Sequence, residues 1–437
     1  LELDAVVVGG NVRGLVAAHM LDSLGFRTLV VERAPFLGGA DGSFRAADGT
    51  RFEYGMHVLD EDRSPLATRL FRRAVEGRFH RVRLERGLVL RGEIVPYAPR
   101  REELPSALGA LLPEGELVDD LGNDAPTRER LARCYGRPWC DLVFDEVLPS
   151  YPSEHRHAAF GVAENELVAN VYPWFFPRAR RQAKSGDESR AFHDRLRAGE
   201  AQYLLYPAEG GFGGFVEGLA RQLDPERVEL RLGCEARFEV DPATHSIVCA
   251  QIENEEVHAR HWFWAGPWPA LCHLLELPCQ ETSTDRIFVG SFRFDRPASC
   301  AYNELLVGDP ALALNRVYFP ARFRESEEPL LQVEYALPEA ADPPTDPEVW
   351  RERWLADLER IGLLDGSQRV ELFDFKTRVM HFNGFGMEGE RLRDADPGLL
   401  HPAANLHPLV PSMANLNLNS HVPRTVAQVA AVLAGED

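Results

Sequence analysis

Three glycines and one glutamate carry the first chemical expectation. Val6-Val7-Val8-Gly9-Gly10-Asn11-Val12-Arg13-Gly14 passes from an apolar run through a glycine turn into a small-residue stretch, and Glu32 ends a second apolar run from Arg27 to Val31. Gly9, Gly10 and Gly14 let backbone approach a pyrophosphate at a helix N-terminus, and a carboxylate at the end of the second strand accepts ribose hydroxyls. A capping or solvent-facing carboxylate is the plainer reading of Glu32. Arg33 beside it joins the candidate nucleotide contacts. Asn11 departs from the pattern, because it stands at the middle glycine of G-x-G-x-x-G.

Other side chains suggest chemistry less sharply. His57, two residues after Gly55, has the character of a general base if a substrate proton lies within hydrogen-bond reach; otherwise it is a satisfied hairpin histidine. Arg178, Arg180 and Arg181 beside Trp174, Phe175 and Phe176 suit an anionic group by bidentate contact and stacking, or form a solvated basic turn. His155 and His157 lack a third ligand at metal-binding spacing and read as loop. No G-x-S-x-G elbow or Walker loop occurs, which removes serine-hydrolase and P-loop chemistry.

The elements that must position these residues follow from the same pattern. A strand, a helix closed by Gly25 and a second strand make a βαβ crossover at the N-terminus. Further strands are expected at 87–95, 228–232, 287–294, 313–319 and 330–335, with helices at 128–147, from about 212 to 223, and at 348–361. The final segment, 405–434, reads as a strand and loop leading to a helix capped by Ser420 with Pro423 in its first turn. The predicted fold class is α/β: a Rossmann-type nucleotide domain with a parallel sheet, assembled from 1–60, 205–280 and 390–437. A mixed α+β substrate domain is inserted as 61–204 and 281–389. The 437 residues suit two joined domains.

Composition sets bounds. A formal net charge of −20 argues against nucleic acid as a partner, because phosphate backbones need a basic face. A small anionic substrate in a local arginine pocket is compatible with it. Seven scattered cysteines without a C-x-x-C pair fit a reducing compartment and neither a disulfide framework nor a zinc site. No apolar run reaches membrane-span length, so a cytoplasmic protein is expected. Oligomeric state is not legible.

The order of landmarks resembles the flavin amine-oxidase superfamily, in its protoporphyrinogen-oxidase-like and UDP-galactopyranose-mutase-like branches. The resemblance rests on Val6 to Glu32, Gly38-Gly39, Phe52-Glu53-Tyr54-Gly55-Met56-His57, Tyr206-Pro207-Ala208-Glu209-Gly210-Gly211, Ala265-Gly266-Pro267 and Asn419-Ser420-His421. It implies FAD as cofactor. Gly9, Gly10, Asn11 and Gly14 would lie under the pyrophosphate, and Glu32 at the adenosine ribose. Gly38, Gly39 and Ala40 would run beside the pyrophosphate and ribityl chain, Ala236 at the adenine edge, and Ala265 and Gly266 at a strand end against the nucleotide. Ser412 would stand near the pyrophosphate or ribityl chain, and Asn419, Ser420, His421 and Val422 would present a helix N-terminus to the flavin ring. His57 would fall beneath that ring, and Arg316, with Tyr318, on a substrate-domain strand where relatives carry an active-site arginine.

This sequence departs from the family at Asn11, at Ala40 (often arginine) and at Pro411-Ser412 (usually Gly-Asp or Gly-Arg), all around the phosphates. Three functions therefore stay open. The first is an FAD-dependent oxidoreductase that removes hydride from a C–H next to nitrogen or oxygen of a polar metabolite. The second is a mutase-like, redox-neutral flavoenzyme acting on a nucleotide sugar, toward which Gly92-Glu93-Ile94-Val95-Pro96-Tyr97 and Tyr135-Gly136-Arg137-Pro138 lean. The third is a flavin-free relative that binds a ligand or partner.

Overall fold

A computed structural model describes residues 2–61, 63–96, 101–113, 127–147, 201–275, 283–338, 341–382, 403–409 and 418–435. The chain divides into two compact units: 1–79, 205–282 and 383–437 form one, and 80–204 with 283–382 form the other.

The first unit is built on a seven-stranded sheet. Val228–Leu232, Thr28–Glu32, Glu2–Val8 and Glu255–Trp264 lie side by side in parallel, and the short Leu406–Pro408 strand continues the parallel set against Trp262 to Trp264. Ser246–Ile252 and Ala236–Asp241 extend the sheet antiparallel, so it is mixed and not parallel throughout. Ala5, Val6 and Val7 are wholly buried, as a strand covered on both faces must be. The helix Val12–Ser23 follows at once. Gly25, at φ +83°, ends it: its N–H donates to Asp22 O and the next N–H, from Phe26, donates back to Leu21 O.

The second unit carries another seven-stranded sheet, in the order Val370–Phe382, Ser283–Phe294, Leu330–Pro338, Arg316–Tyr318, Glu304–Val307, Arg86–Leu90 and Glu93–Pro96. It is antiparallel except where Glu304–Val307 meets Arg86–Leu90. The helix Pro347–Arg360 lays Trp350, Trp354 and Leu358 on one face, against Phe288 and Phe292. Gly290 makes that approach possible, since a Cβ there would sit 2.4 Å from the Trp354 ring.

Several sequence expectations need correction. The helix Pro65–Ala74 belongs to the first unit, so that unit's opening segment runs to 79 and not 60; Phe71 packs on Phe212 and Phe215 there. The stretch 128–147 is not one helix. Gly136 at φ +81° separates Thr127–Tyr135 from Arg137–Asp141, which passes into a π-helical turn at Leu142–Val147. The 87–95 strand is a hairpin turned at Arg91-Gly92, both with positive φ. The 313–319 strand shrinks to Arg316–Tyr318. The closing helix begins at Leu418, which places Ser420 inside the first turn and Pro423 within the helix.

Candidate dinucleotide site

The site lies wholly in the first unit. Gly9, at φ +113°, backs onto Ala265 and Gly266, and a Cβ on Gly14 would stand 1.8 Å from the carbonyl of Gly9. The strand-to-helix turn therefore admits only glycine at 14. Asn11 is the N-cap of the helix. Its Oδ1 accepts from the N–H of Arg13 at 3.0 Å and of Gly14 at 3.2 Å, and its Nδ2 donates to the Ala265 carbonyl at 2.8 Å. Of the orphan donors at a helix start, two are thus used internally. The N–H groups of Asn11 and Val12 have no protein acceptor among the described residues.

Glu32 closes the second strand beside this turn. One carboxylate oxygen accepts from Gly10 N at 2.7 Å and the other from Ala34 N at 2.8 Å. Each oxygen keeps a lone pair for a hydroxyl, so the backbone orients the carboxylate without exhausting it. Arg33 is exposed. Gly38 donates to the Gly10 carbonyl at 2.9 Å, which brings the Gly38-Gly39 loop beside the turn, and a Cβ on Gly39 would lie 3.8 Å from that of Asn11. Ala40 is exposed in the short 3₁₀ turn Gly39–Asp41. Ala236 is buried in the sheet's apolar cluster with Cys234.

A cluster of titratable groups faces the helix start. The Arg13 guanidinium donates to the carbonyls of Leu409 and Ala265. Burial pulls its pKa down to about 10, offset in part by Asp41. Nδ1 of His57 donates to the Gly55 carbonyl at 2.8 Å, which leaves Nε2 turned toward Asp41 Oδ1 at 3.6 Å. On the closing helix, burial, reinforced by Arg13, Arg424 and His57, lowers the His421 pKa to about 3, so the ring is neutral. Its Nε2 is buried without a hydrogen-bond partner. Asn419 faces elsewhere: its amide donates to Asp60 O at 2.7 Å and accepts from Asp60 N at 3.0 Å. Val422 is buried in the helix, and Ser420 stands in its first turn.

The structure also joins two motifs that are far apart in sequence. The buried carboxylate of Glu53 accepts from the Tyr206 hydroxyl and from Phe212 N, at the entrance to the helix Gly213–Arg221. Ser43 Oγ accepts from Gly213 N at 2.8 Å.

In the second unit, Arg316 sits 3.1 Å from Glu304, a buried carboxylate that also pairs with Arg86, and 3.6 Å from Glu334. Its charge is already met by two acids. Tyr318 is buried on the same strand. Arg178, Arg180, Arg181, His155, His157 and Ser412 lie outside the described residues.

Residues 7–74 match the NAD(P)-binding Rossmann-like domain family. Prolycopene isomerases 1 and 2, chloroplastic, of an Oncidium hybrid cultivar are 43% identical over 58 residues, which is 13% of this chain and 10% of theirs. The match thus spans about a tenth of those curated relatives. Whole-chain likeness appears among solved structures. Reduced UDP-galactopyranose mutase superposes with a TM-score of 0.72 at 15% identity, covering 99% of this chain and 96% of that one. A structure from Exiguobacterium sp. 255-15, assigned as a protoporphyrinogen oxidase, gives 0.68 at 16% identity with 99% of both chains covered. These superpositions show a fold shared over the whole chain. Wild-type putrescine oxidase bound to putrescine gives 0.60 at 14% identity, again over 99% of each chain.

Sequence reasoning missed Arg13, Asp41 and Arg424. Their signal was present in part: a long cationic side chain inside a glycine turn is unusual, and Arg424 follows His421 by three residues on a helix. The described residues include no helix long and apolar enough to cross a membrane, and no group of three or more His, Cys, Asp or Glu suited to a metal. Cys140, Cys234, Cys249, Cys272 and Cys300 are free thiols.

Proposed function

We propose that this protein is an FAD-dependent oxidoreductase that removes hydride from a C–H next to nitrogen or oxygen of a small polar metabolite. The observation that carries this reading is the pairing of the glycine turn with a backbone-oriented Glu32 at the head of the helix Val12–Ser23. The residues fit the group. Glu32 keeps acceptor capacity for the adenosine ribose, Asn11 and Val12 offer free N–H groups for a phosphate, and the unpartnered Nε2 of His421 awaits a polar neighbour.

A bound flavin supplies hydride acceptance and its return to a second acceptor. The chain's share is placement and charge. The first turn of the closing helix, with N–H groups that lack intrahelical acceptors, favours negative charge beside it. Asp41 and the Gly55 carbonyl hold His57 in one orientation, from which Nε2 can exchange a proton with Asp41 or with a substrate.

The redox-neutral, mutase-like reading stands second, supported by the whole-chain superposition on reduced UDP-galactopyranose mutase. One preparation separates the possibilities. A yellow protein that consumes dioxygen with an amine or alcohol substrate supports the oxidoreductase. Turnover of a nucleotide sugar only after reduction, without net oxidant use, supports the mutase. A colourless protein that takes up no FAD removes both.

A further inference from the structure

We propose that Arg13 is the counter-ion of the ligand's diphosphate, doing with a side chain what much of the glycine turn no longer does with backbone. The inference rests on reading the cleft as a dinucleotide site. Asn11 withdraws the N–H groups of Arg13 and Gly14 from any anion, because its own Oδ1 accepts from both. Something else must then balance two phosphate charges.

The Arg13 guanidinium is placed for it. A guanidinium has five N–H donors, and its two bonds go to uncharged acceptors, the carbonyls of Leu409 and Ala265. Among the described residues no carboxylate lies within 4.0 Å of it, and Asp41 acts on it only through space. A half-buried cation without a bonded anion is less well satisfied than in water, and an arriving anion relieves that cost. The second observation is independent. Nε2 of His421 is buried and unpartnered, and its ring is near enough to Arg13 and Arg424 to feel both charges. A neutral imidazole there can donate an N–H to a phosphate oxygen. A guanidinium bonded only to carbonyls, with a buried imidazole nitrogen near it, suits a diphosphate and disfavours an uncharged ligand.

The test is calorimetric titration of wild type, Arg13→Gln and Arg13→Lys with FAD, ADP and adenosine. Arg13→Gln is expected to weaken FAD and ADP by about tenfold or more, with adenosine changed less than about twofold; Arg13→Lys recovers part of the loss. Equal FAD and ADP affinities in wild type and Arg13→Gln overturn the assignment and leave the cofactor reading standing. A wild type that binds neither nucleotide overturns both. Because Arg13 also holds two carbonyls, Arg13→Gln could fail to fold. Wild type then decides alone: inorganic pyrophosphate should displace ADP, and the absence of competition overturns the proposal.

Discussion

Because the Asn11 amide holds the N–H groups of Arg13 and Gly14, replacing it by glycine exposes two more donors at the helix start. Asn11→Gly is expected to tighten FAD binding several-fold at a stability cost of a few tenths of a kcal/mol, the usual cost of glycine at an N-cap. Titration and thermal melting check both parts; weaker binding would mean that the amide itself is a ligand. His421 makes a second prediction at this scale. Its folded pKa, about 3, lies below the ordinary 6.5, so the unfolded chain takes up the proton first. Its contribution is complete above about pH 6.5 and is lost as pH falls toward 3. His19, whose pKa burial also lowers, adds in the same direction. Urea denaturation of wild type should lose stability between pH 6.5 and 5, and His421→Gln should reduce that loss by on the order of 1 kcal/mol. An unchanged pH profile would contradict the placement of His421. The glycine turn and the place of Glu32 beside it were legible in sequence because their contacts are local. Arg13 was not, since its partners lie at 265 and 409.

The closing helix is fixed by contacts the sequence could not announce. Its register is set by Asn419, whose amide makes both a donor and an acceptor bond with the backbone of Asp60. The sequence signal there was a serine followed by a proline, read as a cap and a first-turn residue. In the structure Pro423 sits inside the helix, and lacking an N–H it cannot bond the Asn419 carbonyl. Tertiary anchoring thus overrides local capping preference. Asn419→Ala removes both bonds from a buried stretch of backbone and should cost about 1–3 kcal/mol, measured by denaturant unfolding. A loss under a few tenths would mean the clasp is not what holds the helix. The same limit explains the stretch 128–147, where composition favours helix but Gly136 turns the chain with a positive φ.

At the scale of the whole chain, the alternation of strand and helix was readable from hydrophobic period and glycine punctuation. The boundary near 79 was not, because it depends on Phe71 meeting Phe212 and Phe215 across more than a hundred residues. Each unit has its own aromatic core. In the second, Trp354 is wholly buried, donates to Ala313 O at 2.8 Å and fills the space above Gly290. Trp354→Ala should destabilise that unit by about 3–5 kcal/mol, seen as an early transition in thermal unfolding. FAD, which binds the folded chain only, should raise the melting temperature of the first unit with concentration.

The most direct measurement is an equilibrium titration of flavin-depleted protein with FAD, followed by quenching of flavin fluorescence. One FAD per chain, with an affinity lost in a Gly14→Val variant whose side chain cannot clear the Gly9 carbonyl, is the predicted result. A titration that shows no saturable uptake of FAD by the folded, unsubstituted chain would contradict it.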